Sequence, residues 1–293
     1  MASEGDRRAD TEVAARRSRL LEGLRLEAEG AWGVAIALLS TAVFVAVVVV
    51  AVTQSAGWPD VRRGFFDWGD ISSSFPEIAR AFTLNVKIFL VCEVFILALA
   101  LLIAVLRSLP GPVFFPLRAL AIVYADLARG VPTILVIALL GFGVPGLQLE
   151  GVPNSRVFWA GVGLVLIYSG YVAEVYRAGI ESVHPSQEAA ARSLGLSRFQ
   201  ALRRVILPQA IRRVIPPLLN DFIGLQKDTA LVGTLGVIEA FNQSQIDSNA
   251  TFTYGAYLAA AVLFVAITIP LARLTDWLIA RDRRRRQAAG GFA

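Results

Sequence analysis

The sequence predicts an all-α integral membrane protein of about six transmembrane helices, and three observations carry that prediction. Of 293 residues, 56% are hydrophobic and only 17% charged, with a mean hydropathy of +0.61. That is more apolar surface than a soluble domain of this length can bury. Several runs approach the ~20 apolar residues that a helix needs to cross a bilayer. Finally, Arg residues gather at both chain ends and in one internal segment, the pattern of cytoplasmic flanks.

The first run, "GVAIALLSTAVFVAVVVVAV" (33–52), follows a long Arg/Asp/Glu-rich leader. It exceeds the roughly 7–15 residues of a secretory h-region, so it reads as an anchor that stays in place. "IFLVCEVFILALALLIAVL" (88–106) is the second span despite Glu93. "VPTILVIALLGFGV" (131–144) is short, so its helix begins earlier, within "LRALAIVYADLA", and Arg129, Gly130 and Pro132 mark a kink or membrane boundary. "VFWAGVGLVLIYSGYVA" (157–173) is the fourth span, an interrupted stretch from Val205 to about Val237 the fifth, and "YGAYLAAAVLFVAITIPLA" (254–272) the sixth.

Orientation follows from Lys and Arg in short loops. The leader carries Arg7, Arg8, Arg16, Arg17, Arg19 and Arg25, and the tail Arg281 and Arg283 to Arg286. An even number of spans puts both ends on one side, and these ends agree. The segment after the fourth span adds Arg177, Arg192, Arg198, Arg203 and Arg204, whereas 145–156 and 238–253 hold only Arg156. The expected organisation is a cytoplasmic N-terminal segment (1–32), an extra transmembrane helix (33–52), an external loop (53–80), a main transmembrane domain (81–280) with a cytoplasmic loop at 178–204, and a basic cytoplasmic tail (281–293). Arg62, Arg63 and Arg80 run against the rule, but in a longer loop, where charges weigh less.

The net charge of +5 does not point to nucleic acid, because the basic clusters flank apolar spans and act as topology signals. Cys92 and His184 are the only Cys and His, so neither an intrachain disulfide nor a recognisable metal cluster can form.

"QEAAARSLGLSRFQALRRVILPQA" (187–210) is the segment that composition does not explain. Good helix formers run from Ser186 to Leu194, with Pro185 at a first-turn position, Ser186 able to cap and Gly195 placed to stop the helix. A short cytoplasmic helix, a turn and a second helix are expected. Gln187, Glu188 and the small Ala189, Ala190 and Ala191 would let another surface approach closely; equally, alanines would simply stabilise a loop helix.

From Gly195, nine residues lead to Val205, Ile206, Leu207 and Pro208. This spacing resembles the Glu-Ala-Ala loop of binding-protein-dependent ABC transporter permeases. The consensus acid would fall on Ala189, whereas the acid here, Glu188, stands one residue earlier, about 100° around a helix. "TLNVKIFL" (83–90), "YADLARGVP" (124–132), "GYVAEVYRAGIESV" (170–183) and "LPQAIRRVIPPLLNDFIGLQKDTAL" (207–231) look like stretches of the polar amino-acid subfamily. The resemblance covers about 80–280, leaving the first helix as an addition to a five-helix permease core.

The resemblance implies a bacterial inner-membrane importer subunit whose loop, the coupling helix, docks on a cytoplasmic ATPase dimer. It also implies a second permease subunit, identical or homologous, and an extracytoplasmic solute-binding protein that delivers a polar amino acid. No Gly-rich phosphate loop is present, so no cofactor is expected on this chain, and ATP and Mg would belong to the partner ATPase. Nor is there a block of the size needed to capture solute outside the membrane. Glu174 and Arg177, one turn apart, can pair locally, and the resemblance favours their supporting the coupling loop.

In the fifth span, Pro208, Pro216, Pro217 and Gly224 predict a broken or kinked helix. Asp221, Lys227 and Asp228 place charge near or within it, where charge ordinarily faces a pore or a partner. Asp221, Gly224 and Asp228 share one helical face. A translocation path and a structural or interfacial role both remain open for these residues, and likewise for Lys87 and Glu93. The alternative function, a secondary ion-coupled transporter, calls for duplicated halves around broken helices, and no such repeat is visible. A membrane enzyme would need a catalytic constellation that this sequence does not offer.

Overall fold

The computed structural model describes residues 32–109 and 111–290; the Arg-rich leader and the last three residues, with the expectations placed on them, lie outside that range. The chain divides into two units, one up to Arg63 and one from Gly64. In the first, α1 (Trp32–Thr53) is apolar along its whole length and exposed throughout. Its few hydroxyls turn inward: Thr41 and Thr53 each donate to the carbonyl four residues back, Ala37 and Val49, at 2.7 Å. A helix apolar all round with its polar groups satisfied internally suits hydrocarbon.

The segment expected as a loop, 53–80, is mostly helical. A short helix, α2, covers Trp58–Phe65, and the 41-residue α3 runs Trp68–Ser108. Asp67 starts α3 by accepting the N–H groups of Gly69 and Asp70 at 2.8 and 3.3 Å, satisfying donors that a first turn leaves unpaired. Composition could not separate polar helix from polar loop. The buried residues of α3, including Ile78, Phe82, Asn85, Ile88, Cys92, Ile96, Ala100 and Ile103, recur every three or four positions along one continuous stripe.

α4 (Phe115–Gly130) and α5 (Thr133–Gly146) meet at a 100° bend. Pro132 drives Val131 out of the helical region, to φ −96 and ψ 131, which ends α4 where Arg129, Gly130 and Pro132 predict a break. α6 (Arg156–Glu181) is the central helix, packed against α3, α4, α5 and α9. Small residues permit this. At Gly179 a Cβ would collide with Val214 of α9, so this crossing is as close as two backbones allow.

After α6 come α7 (Pro185–Ser193), the single turn α8 (Arg198–Ala201) and a widened turn at Leu202–Ile206, which leads into α9 (Leu207–Asp228). Pro208 has no N–H to offer the carbonyl of Arg204, and the wide turn lies immediately before it. Of the broken or kinked helix expected from Pro208, Pro216, Pro217 and Gly224, no break occurs at Pro216 and Pro217: α9 is one helix through both. It tightens instead beyond Asp228, into a 3-10 segment at Thr229–Leu235 closed by Gly236. α10 (Ala240–Thr251) and the long α11 (Gly255–Gly290), which carries the basic tail as helix, complete the fold.

One hydrophobic core joins α3, α4, α5, α6 and α9 through Ile96, Ala121, Ile137, Leu164 and Leu225; a second joins α3 to α10 and α11 through Ile78, Phe82, Ala240 and Ala259. Among the described residues, Trp32–Thr53, Trp58–Ser108, Arg156–Glu181 and Gly255–Arg281 are long and apolar enough to span a membrane, and the bent α4–α5 pair makes a fifth. α9, with Arg212, Arg213, Asp221, Lys227 and Asp228, is outside that set.

Candidate coupling surface and buried polar sites

The short helix expected between Ser186 and Leu194 is α7, with Pro185 at its first position. Its cap is not Ser186 but His184, whose Nδ1 accepts the Ser186 N–H at 3.2 Å and lies 2.7 Å from the Ser186 hydroxyl. At the other end Leu196 N–H donates to Ala191 O at 3.2 Å and Gly195 N–H to Arg192 O at 3.0 Å, the paired bonds of a Schellman stop. Gly195 has φ +85, and nothing lies within 4 Å of where its Cβ would be. Glycine is therefore required by the backbone and not by crowding.

Ala191 and Ala201 are buried and anchor the segment, whereas Gln187, Ala189 and Ala190 are exposed and Glu188 is half-buried. The acid thus sits on a different aspect of α7 from Ala189. Leu194 and Phe199, 84% and 67% exposed, flank the glycine as an apolar pair that sequence reasoning passed over. Ser197 and Gln200 form a reciprocal cap for the turn that follows: Ser197 N–H donates to Gln200 Oε1 at 2.9 Å, and Gln200 N–H to Ser197 Oγ at 3.2 Å. The spacing Ser-x-x-Gln was the available signal. Leu207 and Pro208 open α9, and Arg213 of α9 donates to the carbonyl of Ser182, just past α6.

Glu174 and Arg177 do pair, as their spacing predicts, and Arg177 reaches Glu181 as well. Glu174 has further partners invisible to local spacing. Arg107, from the last turn of α3, lies at 2.9 Å and Arg129, from the last turn of α4, at 3.5 Å. Three helix ends meet on one carboxylate, and the Arg107 side chain is only 13% exposed. Each arginine closes an apolar helix, which was the only hint in the sequence.

In α9, Asp228 accepts the Tyr168 hydroxyl at 2.9 Å, and Tyr168 also lies against Gly224. The Asp221, Gly224 and Asp228 face therefore looks at α6. One oxygen of Asp221 is buried without a hydrogen-bond partner, and Glu93 of α3, 7% exposed, lies within its electrostatic reach. Lys227 lines a separate pocket of about 240 Å³ with Phe241, Tyr257 and Phe264. The three α9 residues are thus not brought to one point.

A fourth polar site was missed. Asn85 Nδ2 donates to Glu239 at 2.8 Å and lies 3.2 Å from the Thr229 hydroxyl, while Asn85 Oδ1 accepts the Ala240 N–H at 3.1 Å. Glu239 also caps α10, accepting from Phe241 and Asn242 at 3.0 and 2.8 Å. Asn85, Thr229 and Glu239 are all at most 1% exposed, and their bonds tie α3, the 3-10 segment and α10 together. An Asn inside "TLNVKIFL" was the signal.

A set of apolar helices interrupted after α6 by a short capped helix with a glycine stop fits the membrane subunit of a solute transporter. The chain belongs to the family of binding-protein-dependent transport system inner membrane components, whose profile matches residues 97–284. It is 36% identical to YxeN, a probable amino-acid permease of Bacillus subtilis (strain 168), over 72% of this chain and 93% of that one. It is also 36% identical to GlnM, a probable glutamine ABC transporter permease of the same organism, over 67% and 88%. Against GluC, a glutamate transport system permease of Corynebacterium glutamicum, identity is 32% over 70% and 92%. A solved amino acid ABC transporter with histidines superposes with a TM-score of 0.67 and 28% identity, over 73% of this chain and 98% of that one. The chain is therefore a multi-pass inner-membrane transport subunit and not an enzyme, in a family that works with an ATPase and a solute-binding protein.

Proposed function

We propose that this chain is the permease of an ATP-driven importer of a polar or charged amino acid. The observation that carries the coupling assignment is α7: a rigidly capped helix, stopped by Gly195 at φ +85, with exposed Leu194 and Phe199 beside the stop. Such a projection is shaped to sit in a groove on an ATPase and to move as one piece. Arg213 of α9 holds the Ser182 carbonyl where α6 gives way to α7, and the cluster around Glu174 ties α6 in turn to α3 and α4. Nucleotide-driven closure of the ATPase pair would then turn α6 and α9 as packed bodies.

In this reading both termini and 178–204 face the cytoplasm, a second permease copy or paralogue completes the pore, and ATP and Mg stay on the ATPase. Asp221, Lys227 and Asp228 lie along the route. Lys227 suits the carboxylate common to all amino acids, and the unpartnered Asp221 oxygen suits a donor group. The substrate class is supported by relatives that are amino-acid permeases.

The test is reconstitution in vesicles with the ATPase and binding protein of the same gene cluster, screening amino acids. The expected result is uptake that requires ATP and a solute that stimulates hydrolysis. Uptake by the chain alone, driven by an ion gradient, would replace this reading with secondary transport.

A further inference from the structure

We propose that the groove between α3 and α6 is a binding site for one anionic phospholipid. The groove holds about 470 Å³ and is walled by apolar side chains, Val91 and Phe95 from α3 and Phe158, Val162 and Val165 from α6, with Lys87 as its one charged lining residue. It exists because Gly161 presents no side chain beside Cys92, whose Sγ would lie 3.5 Å from a Cβ there.

Position identifies the occupant. Lys87 immediately precedes the apolar run 88–106 and Val157 begins the run 157–173, so both helices enter the hydrocarbon at this end of the groove. From Lys87 to Phe95 is eight residues, about 12 Å of helix, close to half of a ~30 Å bilayer core. The groove thus spans one leaflet, with its cation where head-group phosphates lie and its apolar trough running toward the midplane. Lys87 is exposed and makes no hydrogen bond or ion pair with any described residue. Its charge is left for a ligand outside the chain, and a lipid chain with a phosphate at its top matches both the shape and the charge. A lipid whose net charge is negative satisfies Lys87 better than a zwitterionic one, whose own choline competes for the phosphate.

Native mass spectrometry of the purified chain with its ATPase, offered phosphatidylglycerol or phosphatidylcholine of identical acyl chains, tests this. Wild type should retain phosphatidylglycerol about fivefold better, the scale of one lysine at a membrane surface. Lys87→Gln should abolish that preference and Lys87→Arg preserve it, while Val91→Trp, which fills the trough, should lower retention of both lipids. Equal retention of the two lipids by wild type, an unchanged preference in Lys87→Gln or unchanged occupancy in Val91→Trp overturns the proposal. A photoreactive residue at Val91 should yield an adduct with the mass of a phospholipid. An adduct with a polypeptide would show instead that a helix of the assembly fills the groove.

Discussion

Gly195 shows how a single backbone angle was legible in a sequence. A glycine after a run of helix formers predicts a left-handed stop, and φ is +85 with open space around the absent Cβ. The cost of replacing it is therefore conformational and not steric. Gly195→Val should cost roughly 1–2 kcal/mol locally, misdirect α7 and abolish ATP-dependent uptake while membrane abundance stays normal. Gly195→Asn, which tolerates this region, should retain most uptake, and comparing both variants in the reconstituted system checks it. Glu174 is the opposite case. Its pairing with Arg177 follows from spacing, but Arg107 and Arg129 are 67 and 45 residues away in sequence and arrive only by tertiary packing. Glu174→Gln keeps the shape but removes the charge that three guanidinium groups share, and should cost about 1.5–3 kcal/mol, read as a lower melting temperature in detergent. Arg177→Gln, which leaves Arg107 and Arg129 on the carboxylate, should cost less.

At the scale of elements, the apolar runs located α1, α6 and α11, and Pro132 located the bend between α4 and α5, because a residue before proline avoids the helical region. In α9 the same residue type does not break the helix. Pro216 and Pro217 each remove one helical hydrogen bond, yet α9 continues through them, packed against α6 on either side at Val214 and Gly224, and neighbouring helices make such prolines tolerable in membranes. Residues 68–80 were lost to loop because the apolar stripe of α3 begins in a polar sequence, at Ser74 and Ile78. The α6–α9 crossing yields a prediction of its own. A methyl at Gly179 would strike Val214, so Gly179→Ala should destabilise by about 1–3 kcal/mol and weaken transport. Adding Val214→Ala should recover much of that loss, giving a coupling energy of opposite sign in a double-mutant cycle. Simple addition of the two single effects would mean that this contact does not hold α6 to α9.

For the whole molecule, the decisive quantity is which side of the membrane each end occupies, and it rests on charge. Translocating Lys and Arg is disfavoured in short loops, and the segment from α6 to α9 carries Arg192, Arg198, Arg203 and Arg204, while 145–156 and 238–253 hold a single arginine. That arginine, Arg156, is not free: it donates to the Leu235 carbonyl at 3.0 Å and lies over the Phe142 ring. Its charge is committed to the fold and weighs little against the basic segment. On the proposed orientation, α6 would run with its Arg156 end outside and its Glu181 end in the cytoplasm, and α3, which packs beside it at Lys87, would run the same way. That orientation would place the Glu174 cluster and α7 at the cytoplasmic end of the bundle. On a Cys92→Ser background, single cysteines at Gln187, Ser193 and Ser197 should resist a membrane-impermeant maleimide in intact cells and react once the membrane is opened. Cysteines at Asn154 and Asn249 should react from outside without opening. Labelling of Ser193→Cys in sealed cells would invert the topology, and an inverted chain could not present α7 to a cytoplasmic ATPase. The same experiment thus bears on the mechanism as directly as on the orientation.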